Sequence, residues 1–299
     1  MKAKKIFSLI LCLTVIVTAF SGCKKVESYA FDGVRSDENS VSAVTFNCAA
    51  PWGNALKGTS SSARVKRFAQ YMSDVKPDLI GTQEMNSEWM EKLADLMPEY
   101  ESYGVKRGGD DGEKKNEMNA VFWLKDRFDL VETDTFWLSE TPDSESKYEG
   151  AGCYRICSYA VLTDKKTGGT VIHMNTHLDN ASVDARQFGA QVVMDRADAL
   201  LAKYENALLI LTGDFNDTVD SVPYNVISET LTESYYTNKS YAPDRKSTYT
   251  DWGNLNDEQT PIDFIFSNSS SVEYLVLDDL TNGYISDHYG VYSVFVGLN

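Results

Sequence analysis

The sequence predicts an α/β fold, a four-layered α/β sandwich in which two packed mixed β-sheets are flanked by helices. Helical and strand patterns alternate along the first two thirds of the chain, and strands dominate the last third. Stacked layers are the simplest way for such elements to bury their apolar faces. The 299 residues are 42% hydrophobic and 12% aromatic, which is enough for one large domain, and we place it at residues 41–298.

The first elements follow from local patterns. Residues 41–47 form an apolar, β-prone run, and a helix follows in which Val65, Phe68 and Met72 share one face. Serines precede this helix and Pro77 follows it, as expected for its two ends. The next elements are a strand ending on Glu84 and a helix over 87–97.

The later elements are mostly strands. One long helix, over 184–204, leads into a continuous apolar strand at 207–211. The sequence KKTGG at 165–169 predicts a hairpin turn between two of the strands. The other predicted strands cover 119–125, 128–138, 156–164, 170–177, 261–267, 272–278 and 289–296.

Residues 1–22 do not fit a globular domain. A basic start, an apolar stretch and small residues before Cys23 resemble a bacterial lipoprotein signal peptide, with Cys23 as the lipidated residue. Ordinary secretion and an uncleaved anchor are the alternatives. The polar, aperiodic residues 23–40 are then expected to be a flexible tether. We therefore expect an extracytoplasmic, monomeric protein that is attached to the cell membrane through an N-terminal lipid anchor, or secreted.

The charge of the chain limits its partners. The formal net charge is −16, and removal of residues 1–22, which contain three lysines and no acids, makes it −19. An acidic protein of this kind is repelled by duplex phosphates, because phosphate neutralisation supplies most non-specific affinity for nucleic acid. This argues against a tight, processive DNA-binding protein, although a nuclease that meets its substrate briefly remains compatible.

The cysteines of the domain indicate neither a disulfide framework nor a thiolate zinc site. Outside the signal peptide and Cys23, only Cys48, Cys153 and Cys157 remain. Their number is odd and no Cys-x-x-Cys spacing occurs. We expect buried thiols, with a bridge between Cys153 and Cys157 as the alternative.

Polar residues stand where the apolar strand at 207–211 ends. Asp214 and Asn216 lie two residues apart, so their side chains point the same way in an extended segment. An Asx turn is sufficient to explain this pair on its own. A functional interpretation requires similar residues at other strand ends.

Such residues occur throughout the chain. Asn47, Glu84 and His177 end their strands, while Asp263 opens one. Asp287 and His288 stand immediately before the last strand. Catalytic groups and ligands gather where strands finish and loops begin, so we expect these side chains to meet at one rim of the sheet sandwich. Carboxylates and carboxamides without thiolates favour a hard cation, and we predict Mg²⁺, with Mn²⁺ or Ca²⁺ as alternatives.

The histidines fall into two groups. His173 lies within its strand and is expected to be a packed or hydrogen-bonded core residue. His177 has an acid two residues after it, and His288 follows an acid directly, so these two are the stronger candidates for proton transfer.

The motifs VTFNCA, DLIGTQE, NTHLDN, LTGDFND, PIDFIF and SDHYGVYSVF resemble, in order and spacing, those of the endonuclease/exonuclease/phosphatase superfamily, which includes DNase I, abasic-site endonucleases, sphingomyelinases, inositol polyphosphate phosphatases and deadenylases. The resemblance spans about residues 41–296 and implies a DNase I-like fold. The segment from FWLSETPDSESK to NTHLDN further resembles a secreted bacterial branch of the superfamily.

The resemblance also implies roles for individual residues. Glu84 is implied as the principal metal ligand, with Asn47 and Asp287 assisting, and Asp214 and Asn216 as the residues that position the attacking water and hold a phosphate oxygen. His288, oriented by Asp263, is implied to act on the nucleophile or to stabilise the pentacoordinate phosphorane. His177 is implied to contact the phosphate or protonate the leaving oxygen, with Glu117 as a candidate for its orienting partner.

Asn119 and Arg155 are further candidates for binding substrate phosphate, although Arg155 would equally suit a surface ion pair. The expected function is a metal-dependent phosphoesterase that hydrolyses a phosphodiester, as a nuclease or related phosphodiesterase. A phosphomonoesterase and a catalytically silent lipoprotein that binds a phosphorylated ligand are the alternatives. The substrate would be a nucleic acid, a phospholipid head group or a sugar phosphate.

Overall fold

The computed structural model of the chain describes residues 26–51, 60–109, 116–237, 245–255 and 260–297. The predicted signal peptide at 1–22 and the predicted lipidation site Cys23 lie outside this part of the chain. None of the helices in the described ranges combines the length and the apolar composition that a membrane span requires.

The described residues form two mixed β-sheets. The first has the strand order β11-β12-β1-β2-β4-β3 and the second β5-β6-β7-β8-β10-β9. The strands of the first sheet are β1 Ser40–Asn47, β2 Leu79–Met85, β3 Tyr100–Tyr103, β4 Met118–Leu124, β11 Ser271–Leu277 and β12 Gly290–Val296. Those of the second are β5 Phe128–Trp137, β6 Ile156–Asp164, β7 Thr170–His177, β8 Leu208–Asp214, β9 Thr232–Glu233 and β10 Asp263–Ser267.

The helices are α1 Ser61–Val75, α2 Ser87–Leu96, α3 Val183–Lys203, α4 Val222–Ser228 and α5 Ser234–Thr237. Local sequence sets the ends of α1 as expected. The Ser60 side chain accepts a hydrogen bond from the Ala63 amide, and Lys76 takes a left-handed conformation before Pro77. Asn86 and Ser182 cap α2 and α3 in the same way as Ser60.

Three apolar clusters separate four layers. The first cluster joins α1 and α2 to the first sheet, through residues such as Phe68 and Phe46. The second joins α3 and α4 to the second sheet, as Val193 and Leu209 show, and the third lies between the two sheets. The chain therefore has the predicted four-layered α/β sandwich.

Strand direction brings the predicted functional residues to one rim. β1 and β2 run parallel and end at the same edge of the first sheet, as β7 and β8 do in the second. β12 runs antiparallel to β1, and β10 antiparallel to β8, so their beginnings lie at these same edges. The two edges meet, because Asn47 at the end of β1 donates to Asp214 at the end of β8 at 2.9 Å.

The segment predicted as a flexible tether is packed where the structure describes it. Tyr29 stacks on Tyr71 of α1 with 4.1 Å between ring centroids, and Arg35 Nη2 donates to the Asp74 carbonyl at 2.7 Å. The Ala30 amide donates to Asp279 at 3.0 Å. Residues 26–39 are thus a strap along the first sheet and its helix. Its aperiodic sequence conceals this because backbone groups and isolated aromatic contacts, rather than a repeating apolar face, hold it.

The short elements are those that the sequence does not reveal. β3, α4, β9 and α5 have seven residues or fewer each, and none of them contains a continuous apolar run like those that reveal the equally short β8 and β10. The predicted hairpin at 165–169 is confirmed, since β6 and β7 pair antiparallel on either side of it.

Candidate active site

A cleft of about 670 Å³ opens at the rim where the strand ends converge. Both sheets contribute to its walls. Eight of the predicted site residues line it: the six strand-end residues Glu84, His177, Asp214, Asn216, Asp287 and His288, and in addition Glu117 and Arg155. The structure thus brings the six strand-end residues together at one rim.

Asn47 connects the two sheets below the cleft. Its Nδ2 donates to Asp214 Oδ2 at 2.9 Å and to Glu84 Oε1 at 3.2 Å, while its Oδ1 accepts from the Ala49 amide at 3.0 Å. The side chain is buried, with 1% of its surface exposed. Its amide therefore fixes two carboxylates, one from each sheet, relative to each other.

The Asx turn that the sequence leaves open is present. Asp214 Oδ1 accepts a hydrogen bond from the Asn216 amide at 2.9 Å, and Asn216 has a φ of 49°. The turn uses only one carboxylate oxygen of Asp214 and leaves the other, Oδ2, for contacts across the rim. The Asx turn is therefore compatible with a functional role for Asp214.

His288 and Asp263 form a buried pair. His288 Nδ1 donates to Asp263 Oδ2 at 2.8 Å, and His288 Nε2 lies 3.8 Å from Asp214 Oδ2. Although burial opposes a positive charge, the carboxylates of Asp263, Asp214 and Asp287 raise the pKa of His288 to about 10. Burial and the charge of Asp263 raise the pKa of Asp214 to about 6. At neutral pH His288 is thus an imidazolium that lies beside the carboxylates of Asp263 and Asp214.

His177 has the opposite electrostatic environment. Burial, together with the positive charges of Arg155 and Arg107, holds the pKa of His177 well below its usual 6.5. Its Nε2 lies 2.8 Å from Asn216 Nδ2 and 3.5 Å from Asp214 Oδ2. Because the imidazole is neutral, Nε2 accepts the hydrogen bond that the Asn216 amide donates.

Glu84 lies at a break in its strand. The register between β2 and β4 shifts between Thr82 and Met85, and Glu84 has a φ of 50°. A bulge of this kind re-aims a side chain, and here it accompanies the placement of the Glu84 side chain in the cleft wall. Burial and the nearby charges of Glu117 and Asp287 raise the pKa of Glu84 to about 7.

The acidic end of the cleft fits a hard divalent cation. We call Asn47, Glu84 and Asp287 the metal end. Its cation donors would be the carboxylate oxygens of Glu84 and Asp287, a ligand type that Mg²⁺ prefers, while the amide nitrogen of Asn47 faces Glu84. Burial and the nearby carboxylates, which together raise the pKa of Glu84, oppose its negative charge, and a bound cation would relieve this.

The ligand atoms of Asp214, Asp263 and His288 also lie within 4.8 Å of one another. Their geometry differs from that of the metal end, because His288 Nδ1 and Asp263 Oδ2 already bond to each other at 2.8 Å. A protonated imidazole has no lone pair for a metal. This cluster therefore suits proton and charge chemistry better than metal binding.

Two arginines also line the cleft. Arg107 Nη1 donates to Glu117 Oε2 at 2.6 Å, and Arg155 Nη2 donates to Asn180 Oδ1 at 3.1 Å. Both guanidinium groups line the cleft beside His177. Arg155 therefore lies where a substrate-binding residue is expected, while Glu117 forms an ion pair with Arg107.

Asn119 has a different environment from the one predicted for it. Its Nδ2 donates to the Ile156 carbonyl at 2.6 Å, and 5% of its surface is exposed. It thus connects β4 of the first sheet to β6 of the second, and it is not among the described residues that form the cleft wall.

Sequence reasoning missed Arg107 and Tyr249 as individual members of the site. Both lie in polar loops that carry no motif. In the structure Tyr249 pairs with His288 through a β-bridge, with 5.0 Å between their ring centroids.

The predictions for His173 and the cysteines concern the core rather than the cleft. His173 is confirmed as a buried residue, with Nε2 3.1 Å from Thr212 Oγ1. Cys48, Cys153 and Cys157 are buried free thiols, so no bridge joins Cys153 and Cys157.

Solved structures of other proteins resemble this chain over most of its length. A crystal structure of an endonuclease/exonuclease/phosphatase family protein from Bacteroides thetaiotaomicron has 30% sequence identity, covers 86% of this chain and 98% of that chain, and superimposes with a TM-score of 0.77. A mannosyl-6-phosphatase from the same species has 30% identity, covers 85% of this chain and 98% of that chain, and gives a TM-score of 0.76.

More distant structures share the fold alone. TDP2 from D. rerio, complexed with a single-strand DNA product, has 19% identity, covers 86% of this chain and 98% of that chain, and gives a TM-score of 0.64. No match was found among the curated proteins. The sequence profile of the Endonuclease/Exonuclease/phosphatase family matches residues 44–288. With most of its length matched by this profile, and with relatives at 30% identity, the chain belongs to the endonuclease/exonuclease/phosphatase family.

Proposed function

We propose that the protein is a divalent-metal-dependent hydrolase of phosphate esters, with Mg²⁺ as its ion. One observation carries the proposal: a single cleft combines an acidic metal end, the His288–Asp263 pair and two arginines beside His177. Phosphate ester hydrolysis requires charge neutralisation, a positioned water and stabilisation of the leaving oxygen. The cleft offers residues for each of these tasks.

Glu84 and Asp287 would hold the cation through their carboxylates. Asn47 directs its amide nitrogen towards Glu84, so we assign it the task of orienting that carboxylate. When bound, the cation acts as a Lewis acid that neutralises charge on the phosphate oxygens. This assignment keeps Asp214 and Asp263 free for the reaction itself.

Asp214 is the residue that we assign to the attacking water. Its Oδ1 is fixed by the Asn216 amide, and its Oδ2 lies 3.5 Å from His177 Nε2 and 3.8 Å from His288 Nε2. With a pKa of about 6, raised by burial and Asp263, the carboxylate is ionised at neutral pH but basic enough to accept a proton from water.

The two histidines divide the remaining work. His288 is protonated at neutral pH, which suits stabilisation of the negative pentacoordinate phosphorane, and Asp263 keeps its ring oriented. His177 is neutral, which favours a phosphate-contacting role over protonation of the leaving oxygen. Arg107 and Arg155 supply N–H groups for the phosphate oxygens, with geometry that suits phosphate recognition.

For the substrate we propose a sugar phosphomonoester as the first class to test. The sequence favours a phosphodiester, but the support at 30% identity comes from a mannosyl-6-phosphatase. The relatives that act on DNA are too distant to support a substrate. The outer cell surface, through a lipid anchor at Cys23, remains our proposal for the location of the enzyme, on the basis of the sequence of residues 1–23.

The test is product release from matched substrates with Mg²⁺ and with EDTA. The panel contains mannose 6-phosphate, single-stranded DNA, RNA, sphingomyelin and a synthetic phosphodiester. We expect Mg²⁺-dependent hydrolysis that His288→Ala abolishes and that Glu91→Gln, a change of an exposed acid on α2, leaves intact. Hydrolysis that persists in EDTA or in His288→Ala would contradict the proposal. The absence of turnover on every substrate, with Mg²⁺ bound, would favour a catalytically silent binding protein.

A further inference from the structure

Arg64 of α1 is buried and joins two loops through their backbones. None of its surface is exposed. Nη1 donates to the carbonyls of Cys48 at 2.9 Å and Ile285 at 2.8 Å. Nη2 donates to the carbonyls of Ala49 at 2.9 Å and Ala50 at 3.3 Å. One guanidinium group thus holds segments that lie more than 200 residues apart in sequence.

These segments carry the metal end. Cys48 directly follows Asn47, and Ile285 stands two residues before Asp287. The remaining member, Glu84, joins the same arrangement through its backbone, because its carbonyl accepts from the Ala50 amide at 3.1 Å. The backbone near every residue of the metal end is therefore tied to Arg64 directly or through one further hydrogen bond.

The backbone that Arg64 holds is in an unfavourable conformation. Ala49 has a φ of 43° and Glu84 a φ of 50°, in the left-handed region that non-glycine residues rarely adopt. Such conformations persist only where the surroundings over-determine them. Hydrogen bonds from Arg64 to the carbonyls of Ala49 and Ala50 supply this constraint on one side of the cleft.

The guanidinium group itself has little freedom. The ring of Trp89 lies 5.1 Å from its central carbon and that of Trp252 lies 5.3 Å from it. Aromatic faces at this distance attract the cation and limit its movement. A rigid planar group with several donors is suited to fixing the relative position of several carbonyls, and a lysine ammonium is not.

We propose that Arg64 is a positioning residue that holds Asn47, Glu84 and Asp287 at the spacing that a divalent cation requires. It touches neither the substrate nor the metal, and it acts through the backbone of the loops that carry the ligands. The proposal rests on the proposed function, since it assumes that the metal end binds a cation.

The experiment compares Arg64→Lys with Arg127→Lys in the purified full chain. Arg127 is a matched control, because it is also buried and also ties strands together, donating to the Ser40 carbonyl at 2.8 Å and pairing with Asp164 at 2.8 Å. Ser40 begins β1, so this residue lies at the end of the sandwich opposite the cleft. The readouts are the Kd for Mn²⁺, by electron paramagnetic resonance, and the Tm of the metal-free protein.

We expect both variants to lower Tm and only Arg64→Lys to weaken Mn²⁺ binding, by about 10- to 100-fold, the usual effect of removing a residue that supports metal ligands. Equal Kd values in the two variants, or loss of affinity in proportion to the loss of Tm in both, would overturn the proposal. Failure of the unmodified protein to bind Mn²⁺ would instead refute the proposed function and remove the basis for the inference with it.

A second variant covers the case in which Arg64→Lys does not fold. Ala49→Gly places at this position a residue that adopts positive φ without steric cost. In the double variant Ala49→Gly/Arg64→Lys we expect part of the lost stability and part of the lost Mn²⁺ affinity to return. If only the double variant folds, Mn²⁺ affinity equal to that of the unmodified protein would contradict the positioning role. If Arg64→Lys also folds, a double variant that binds Mn²⁺ no better than Arg64→Lys would contradict it.

Discussion

At the scale of single residues, the charge on Asp263 controls both titrating partners in the cleft. It is the largest contribution that raises the pKa of His288, and it also raises the pKa of Asp214. Asp263→Asn keeps the shape of the side chain and removes this charge. We expect kcat to fall by about 10²- to 10⁴-fold, the range for loss of acid–base assistance. We also expect the alkaline limb of the pH–rate profile to move to lower pH.

The pH dependence of the unfolding free energy tests the same Asp263→Asn substitution without a measurement of turnover. The folded-state pKa of His288 is about 10, above the usual 6.5, so protonation stabilises the fold. This contribution is fully present below pH 6.5 and is lost as the pH rises through 10. The difference in unfolding free energy between the original protein and Asp263→Asn, measured by denaturant titration, should therefore shrink over that range. A difference that is constant with pH would contradict the assignment.

The sequence reveals site residues where a polar residue interrupts an apolar pattern. Asp214, Glu84 and His288 are visible in the sequence because an acid or histidine stands at the edge of an apolar strand. Arg64 is not visible in this way, because an arginine on an amphipathic helix normally faces solvent. Only the structure shows that it points inwards to backbone carbonyls.

At the scale of elements, polar contacts join the two sheets directly below the rim. Asn175 of β7 donates to the carbonyls of Thr82 at 2.8 Å and Ala120 at 3.0 Å, and its Oδ1 accepts from Gln83 Nε2 at 2.6 Å. Gln83 precedes Glu84 in β2, so this network fixes the position of β2 relative to the second sheet. Polar residues inside strands gave no sequence signal of this role, since strand periodicity does not show which face meets another sheet.

Gly81 of β2 lies beside this network, close against two side chains of the second sheet. A Cβ atom there would lie 2.0 Å from Thr212 Oγ1 and 2.8 Å from Asn175 Oδ1. We expect Gly81→Ala to lower the unfolding free energy by roughly 1–3 kcal/mol through overpacking, and to lower activity by displacing β2. Denaturant unfolding and steady-state kinetics measure the two effects.

Gly169→Ala is the matched control for this prediction. Gly169 lies in the β6–β7 hairpin, and a Cβ atom there would meet only Thr167 Oγ1, at 3.2 Å. We expect a much smaller change in stability and unchanged activity. If Gly81→Ala were no more harmful than Gly169→Ala, the close approach of the sheets below the rim would be unimportant for the site.

At the scale of the whole molecule, sequence predicted the layers and the shared rim because long strands and helices carry strong periodic patterns. It did not predict the packing of the strap at residues 26–39, which depends on contacts such as Tyr29 with Tyr71 rather than on a pattern. It also placed Asn119 among substrate-binding residues, whereas its amide joins β4 to β6. In both cases the missing information is which distant segment lies opposite.

We expect the acidic site to make the stability of the fold depend on a bound divalent cation. The folded-state pKa of Glu84 is about 7, above the usual 4.5, so the stability of metal-free protein falls as the pH rises from 4.5 to about 7, and the full loss is present above pH 7. Glu84→Gln should therefore raise the Tm of metal-free protein at pH 8. A cation that binds only the folded state stabilises it by about 2.7 kcal/mol at a concentration 100 times its Kd. Thermal unfolding with Mg²⁺ or EDTA should thus show a large metal effect in the original protein and a small one in Glu84→Gln.

The two effects of Glu84→Gln, on the metal-free Tm and on stabilisation by Mg²⁺, distinguish a metal-binding acid from an acid that only supports the fold. Glu91→Gln, at an exposed position of α2, should leave both the metal-free Tm and the Mg²⁺ effect unchanged. Loss of metal-free stability in Glu84→Gln would mean that the carboxylate supports the fold, as an ordinary buried acid with satisfied partners does. Gain of metal-free stability with loss of the Mg²⁺ effect would mean that the fold tolerates an unfavourable charge at Glu84 because the cation requires it there.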